Sequence, residues 1–385
     1  MDPAGVLTGE RPPAATAADA RPLRVLFVIS RLEPGGTEGQ LTNLILRAHP
    51  QRIEARVATL YATSAREHVD PLVAHGVPVH PLSLQGGRLR SLSLALARLP
   101  GLVRAFAPDV VYAWLEEAAT VAIPVARSLG VPVAVSRRNV CGSAFERFTV
   151  PRVAIRRIEA AATLATANSD AVRDEAIRRG IAAERIHVVP NGHDPLTPLE
   201  EPPSPPVRLG YLAHLRAEKG HLRLLNALQL LPPELDWHAD LAGSGPLERA
   251  LRGEIARRGL SDRVSLVGVV NSRSFWATHH VAVLLSDHEG SPNTLIDAAM
   301  AARAIVATNV PGTSDVVGAA GGVLVPLDDS AAIAAALARV ASDPEHRAAL
   351  GRHAHRQAVK RFSMQRFVDG HIEALEAAAG HRALA

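Results

Sequence analysis

The chain holds a single cysteine, Cys141, and only two lysines, Lys219 and Lys360, among its 385 residues. A lone thiol excludes an internal disulfide framework and fits a reducing compartment, where Cys141 reads as a small, inert residue. Aromatic residues make up 3%, and a net charge of +4 is spread among 38 acids, so neither stacking platforms nor basic blocks are present for nucleic acid. No nucleic-acid partner is expected. No apolar run reaches the about 18 residues of a bilayer-spanning helix, and the stretch MDPAGVLTGERPPAATAADARP lacks the basic-then-apolar order of a secretory signal. The expected location is the cytoplasm. The dinucleotide fingerprint G-x-G-x-x-G is missing, since Gly243-Ser-Gly245-Pro-Leu-Glu248 ends on an acid, and no G-x-x-x-x-G-K-[ST] occurs. D-x-D is also absent, and the pairs His279/His280 and His353/His355 have no carboxylates at ligand spacing. No metal and no cofactor are expected.

What the chain does have is an alternation of β-rich runs and helical spacing. Residues 23–29, 55–60, 77–79, 110–113, 131–135 and 187–189 read as strands, with apolar residues at helical intervals over 37–47, 89–106 and 152–162. The proline-dense stretch HDPLTPLEEPPSPP reads as a stiff connection, after which strands follow at 207–212, 237–241, 264–267, 281–285, 304–307 and 322–325. Residues 330–379 read as helical throughout. The expected fold class is α/β, with two doubly wound Rossmann-like domains facing across a cleft. The divisions are a disordered tail over 1–21, a first domain over 22–192, a linker over 193–206, a second domain over 207–362, and a last helix over 363–385.

Three strand-to-helix junctions carry candidate chemistry. In SRLEPGGTEGQ, Gly35 and Gly36 let the backbone approach a ligand before a helix that starts near Thr37. In YLAHLRAEKGH, His214, Arg216 and Lys219 crowd a polar turn, and a compact ammonium at Lys219 suits a phosphate. In SDHEGSPNTLIDAAMA, Ser291 is expected to cap a helix with Pro292 at its first position, leaving the amides of Asn293, Thr294 and Leu295 for an anion. Glu289 and Asp297, eight positions apart, can each accept hydrogen bonds from a pair of hydroxyls, one pair on a sugar and one on a ribose.

These pieces, with ANSDAVRDEAIRRGIAAERIHVVPNGHD, LAGSGPLERALRGEIARRGLSDRVSLVG and RFSMQRFVDGHIEAL, resemble the retaining glycosyltransferases of family four, which have the GT-B fold. The resemblance runs from Leu23 to about Leu375. It implies transfer of a sugar from a nucleotide diphosphate sugar, the co-substrate, to an acceptor hydroxyl with retained anomeric configuration and no divalent ion. By position it places Glu289 on the transferred sugar, Lys219 on the diphosphate, and Gly35 and Gly36 near phosphates and acceptor. It also implies that the last helix crosses back onto the first domain. The chain departs from the family pattern in four ways: Asp297 stands for a second Glu, His214 for an Arg, Arg303 for a glycine, and Tyr112 and Trp114 occupy the region where many relatives carry a histidine. At His214 the positive charge depends on pH, so donor binding is expected to weaken as pH rises through neutrality. The departures keep open a catalytically degenerate homologue that binds a nucleotide sugar or a partner enzyme, and an epimerase of similar architecture is a third reading. The acceptor is a saccharide or a lipid-linked molecule. Arg88, Arg90, Arg98, Arg104, Arg147, Arg152, Arg156 and Arg157 could make a peripheral contact with the inner face of an anionic membrane, or be a solvated face.

Overall fold

The computed structural model describes residues 21–84, 87–140, 152–194, 197–318 and 321–380. The expected tail up to residue 20, Cys141 and Arg147 lie outside them. The first sheet contains β1 (Leu23–Ile29), β2 (Ile53–Thr59), β3 (Val79–Pro81), β4 (Val110–Trp114), β5 (Val133–Arg137), β6 (Leu164–Ala167) and β7 (Ile186–Val188). Their order is β3-β2-β1-β4-β5-β6-β7, all parallel. The second contains β8 (Val207–Leu212), β9 (Trp237–Ala242), β10 (Val264–Gly268), β11 (Val281–Leu284), β12 (Ala304–Thr308) and β13 (Val323–Val325), in the parallel order β10-β9-β8-β11-β12-β13. Strand order reverses between β1 and β4 in one sheet and between β8 and β11 in the other, and each reversal opens a crevice at the strands' carboxyl ends.

Helices cover both faces of the sheets, which is why central strands are apolar at successive positions rather than at alternate ones. Every residue of β4, VVYAW, and of β11, VAVL, is buried. The short β6, LATA, went unread in the sequence because a four-residue run with two alanines and one β-branched residue carries little β signal. The stretch 330–379 is three helices: Ser330–Ser342, Pro344–Arg361 and Met364–Gly380. Asp343 makes the first break by leaving helical geometry and accepting from the His346 backbone N–H with its side chain.

The helix Met364–Gly380 packs on the first sheet. Phe367, Ile372 and Leu375 are buried in one core with Val25, Phe27 and Tyr112 of the first sheet, each stabilising the fold by about 1.5–3 kcal/mol. Prolines in the connecting segment do not hold it away from the second unit. Glu200 O accepts from Arg303 Nη2 at 2.8 Å, and Glu201 pairs with the buried Arg347 at 3.0 Å. Among the described residues no helix is long and apolar enough to cross a membrane.

His371 of the crossing helix is enclosed by Tyr112, Trp114 and Phe367. Burial, aided by the charge of Arg138, holds its pKa well below the ordinary histidine value. The unfolded chain therefore takes up a proton near pH 6.5 that the folded protein refuses, so this stability is complete above about pH 6.5 and is lost as pH falls. His221, pushed down to about 4 chiefly by burial, acts in the same direction. The melting temperature should fall between pH 6.5 and 5, and less steeply in His371→Gln; equal slopes would contradict the assignment.

Candidate active site

The carboxyl end of β8 and the loop after β11 meet at one ion pair. Lys219 closes the short turn Ala217–Lys219, and the chain then enters the helix His221–Leu228 through Gly220 at φ 67°. A side chain at Gly220 would strike Leu285 O at 1.9 Å, so glycine is required by both backbone conformation and space. Tyr211 fixes the turn to the strand end, because its hydroxyl donates to Lys219 O and accepts from the Leu285 N–H at 2.7 Å. Lys219 Nζ then lies 2.6 Å from Glu289 Oε1, which also accepts from Ser286 Oγ at 2.7 Å. Glu289 is 11% exposed, a carboxylate largely withdrawn from water yet held in a fixed direction.

The helix Asn293–Met300 follows the Ser-Pro-Asn turn, with a different start from the one expected. Pro292, extended at ψ 103°, is the residue before the helix, and no side chain caps it. Ser291 does not cap, because the restricted Pro292 follows it and the helix begins one residue later. The Leu295 amide is not free either, since it donates to Pro292 O at 3.1 Å. Ser291 Oγ and Thr294 Oγ1 are buried with no hydrogen-bond partner among the described residues, so two hydroxyls at the helix entrance are left unsatisfied. Asp297, one turn on, has both oxygens engaged: Oδ1 accepts from His193 Nδ1 and Oδ2 from Ser272 Oγ, each at 2.7 Å.

The glycine loop of the first unit reaches this helix. The helix Gly36–Ala48 begins one residue before the expected Thr37, with Gly35 extended ahead of it. Asn293 Nδ2 donates to Gly36 O at 3.3 Å, and Asn293 Oδ1 accepts from Asn191 Nδ2 at 2.7 Å. Asn191 is in turn held by Arg138 Nη1 at 2.6 Å, and the Arg138 guanidinium lies 4.2 Å over the Trp114 ring. Burial draws the Arg138 pKa down to about 10 against the raising influence of Tyr112 and Glu38. Burial also raises the Glu38 carboxyl, with Arg138 opposing it. A side chain at Gly290 would meet Arg138 O at 2.0 Å, so the two units touch backbone to backbone one residue after Glu289.

The other departures resolve as follows. Tyr112 and Trp114 are fully buried, and the Tyr112 hydroxyl is spent on Thr166 at 2.7 Å and His371 at 2.8 Å. Neither side chain is open to solvent. Arg303 does not need positive φ, because the left-handed residue is Ala302 at φ 60°, and Arg303 is buried against the connecting segment, away from the ion pair. His214 and Arg216 are exposed at the turn beside Lys219. Partial desolvation, then Arg216 and Lys219, lower the His214 pKa. Protonation of the free protein at His214 therefore falls on the acid side of 6.5, below the neutral range expected from sequence. Sequence reasoning assigned no role to Arg138, Asn191, His193, Ser272, Tyr211 or Ser286. The motif VVPNGHD was the one visible signal for two of them.

Two doubly wound sheets, joined by a short segment and a returning helix around a lysine–glutamate pair, define the two-domain glycosyltransferase fold. HepE of Anabaena in complex with UDP superposes with a TM-score of 0.77 at 22% identity, covering 92% of this chain and 100% of that one. The same protein with UDP-glucose gives 0.76 at 23%, covering 91% and 98%. Sucrose-phosphate synthase from Thermosynechococcus elongatus gives 0.74 at 18%, covering 94% and 99%. No curated protein sequence matches the chain. The family profile described as Glycosyl transferases group 1 matches residues 206–343, and the one described as Glycosyl transferase 4-like domain matches residues 35–192. The chain belongs to the group 1 glycosyltransferases and is a glycosyltransferase.

Proposed function

We propose that the protein moves a sugar from a nucleotide diphosphate sugar to an acceptor hydroxyl, with retention and without a divalent ion, in the synthesis of a glycan, glycolipid or polysaccharide. The carrying observation is the Lys219–Glu289 pair at 2.6 Å beside the unpartnered hydroxyls of Ser291 and Thr294. Glu289 orients the sugar through its hydroxyls. Lys219, with the amides of Asn293 and Thr294, holds the diphosphate, and Asp297 receives the ribose. As the bond from the anomeric carbon to the diphosphate oxygen breaks, a bond to the acceptor oxygen forms and the acceptor proton passes to the diphosphate. Lys219 and the helix entrance stabilise the charge that grows on the leaving oxygen. HepE, solved with UDP and with UDP-glucose, supports a nucleotide-sugar donor. Exposed Arg90 and Arg104, with Leu89 and Leu96 exposed on the same helix Arg88–Phe106, support an acceptor presented at an anionic membrane face.

One observation favours the degenerate reading: both Asp297 oxygens already have protein partners. Each oxygen keeps a second lone pair, so room for a hydroxyl remains. Thermal stabilisation by a panel of UDP- and GDP-sugars, about 2.7 kcal/mol at a hundred times the dissociation constant, identifies the donor. Proton NMR of the product, with and without EDTA, then reads the anomeric configuration and the need for metal. Stabilisation with neither transfer nor donor hydrolysis would establish the degenerate reading; an inverted or EDTA-sensitive product would overturn the mechanism.

A further inference from the structure

The segment Asn191-Gly192-His193 is the point at which both connections between the two units cross. The Gly192 N–H donates to Gln40 Oε1 at 2.8 Å, and Gln40 Nε2 donates to Gly192 O at 2.9 Å, which clamps the outgoing chain to the helix Gly36–Ala48. One residue on, the His193 N–H donates to Phe362 O at 2.7 Å and the Met364 N–H donates to His193 O at 3.0 Å. His193 and Ser363 thus form a parallel bridge between the outgoing and the returning strand of the crossing.

From this crossing the imidazole reaches the donor helix. Nδ1 donates to Asp297 Oδ1 at 2.7 Å, and Nε2 stands 3.3 Å from Asn293 Oδ1. His193 is 12% exposed and Asp297 29%, so the contact is sheltered while the carboxylate keeps an open side. With Ser272 Oγ on the other oxygen, the carboxylate is gripped at both ends. An aspartate has fewer torsions than a glutamate to lose, and two fixed donors remove the remaining freedom before any ligand arrives.

We propose that His193 is a positioning residue of the donor site: it aims the free lone pairs of Asp297 at the vicinal hydroxyls of a nucleoside diphosphate and ties that engagement to the crossing between the two units. This rests on the reading of Asp297 as the ribose acceptor. Because the His193 main chain is bonded to Phe362 and Met364, a rotation of one unit against the other carries the imidazole relative to Asp297. Nucleoside binding at Asp297 and the setting of the crossing therefore favour one another.

UDP and GDP are the probes, titrated calorimetrically into the full chain, with the tighter of the two used throughout. His193→Ala should weaken binding about tenfold, the size of one lost charge-assisted hydrogen bond. Donor KM should rise by a similar factor while kcat stays near the parental value. His193→Asn, whose amide N–H stands where Nδ1 stands, should recover most of the loss. In an Asp297→Ala background, His193→Ala should add nothing, a coupling that a purely structural role would not produce. Parental affinity in His193→Ala, or additive losses in the double variant, would overturn the proposal. If Asp297→Ala itself binds as the parent does, the ribose reading fails and takes this inference with it; an impaired Asp297→Ala beside a neutral His193→Ala sinks the role of His193 alone.

Discussion

Glu289→Gln should lower kcat for sugar transfer by about 10²–10³-fold, the usual loss when one preorganised polar contact to the reacting group is removed, while UDP or GDP binding holds or tightens. The separation follows from the ion pair. Glu289 accepts from Lys219 at 2.6 Å and from Ser286 at 2.7 Å, and a glutamine oxygen accepts from both in the same shape, so the fold is kept. The neutral amide, however, replaces one acceptor oxygen by a donor and no longer competes with the diphosphate for the Lys219 ammonium. Initial-rate measurement beside calorimetric titration checks both halves. Transfer at the parental rate would remove Glu289 from the chemistry.

Lys219→Ala should act in the opposite sense, weakening donor binding about ten- to a hundredfold, as expected for loss of a charge-assisted contact worth about 1.5–3 kcal/mol. The loss has two parts, since the substitution removes the cation and leaves the Glu289 carboxylate, 11% exposed, unneutralised where the diphosphate must sit. Removing both side chains should therefore recover some of the affinity lost in Lys219→Ala alone. Lys219→Arg should not substitute well, because Gly220 and Tyr211 hold the turn at a spacing suited to a compact ammonium. An unchanged donor affinity in Lys219→Ala would exclude the diphosphate role.

Much of the architecture was readable because doubly wound sheets write it locally: apolar runs such as 207–212 and 281–285 each became a buried strand. The strand Leu164–Ala167 was not, since so short a run with two alanines acquires strand character only between β5 and β7. The helix entrance misled for a local reason, as Ser-Pro suggested a capped start at Ser291 whereas the chain turns helical only after Pro292. Lys219 and Glu289 could be singled out one by one from their place at strand ends. The grip of His193 on Asp297 joins positions 104 apart, and that of Arg138 on Asn191 joins positions 53 apart. No spacing rule reaches such contacts, which exist only once the chain has folded, the first of them only once both units have formed. Arg303 shows the converse: a residue conspicuous in the motif proved to serve the seating of the connecting segment.

The returning helix makes the order of synthesis matter. Phe367, Ile372 and Leu375 fill the interior beneath β1 and β4, yet the whole second unit lies between them in sequence. A nascent first unit must wait, with that apolar floor uncovered, until the second unit and this helix have been made, and so resembles a vessel whose keel is fitted late. Loss of the turns that carry these three residues would thus damage a unit far away in sequence.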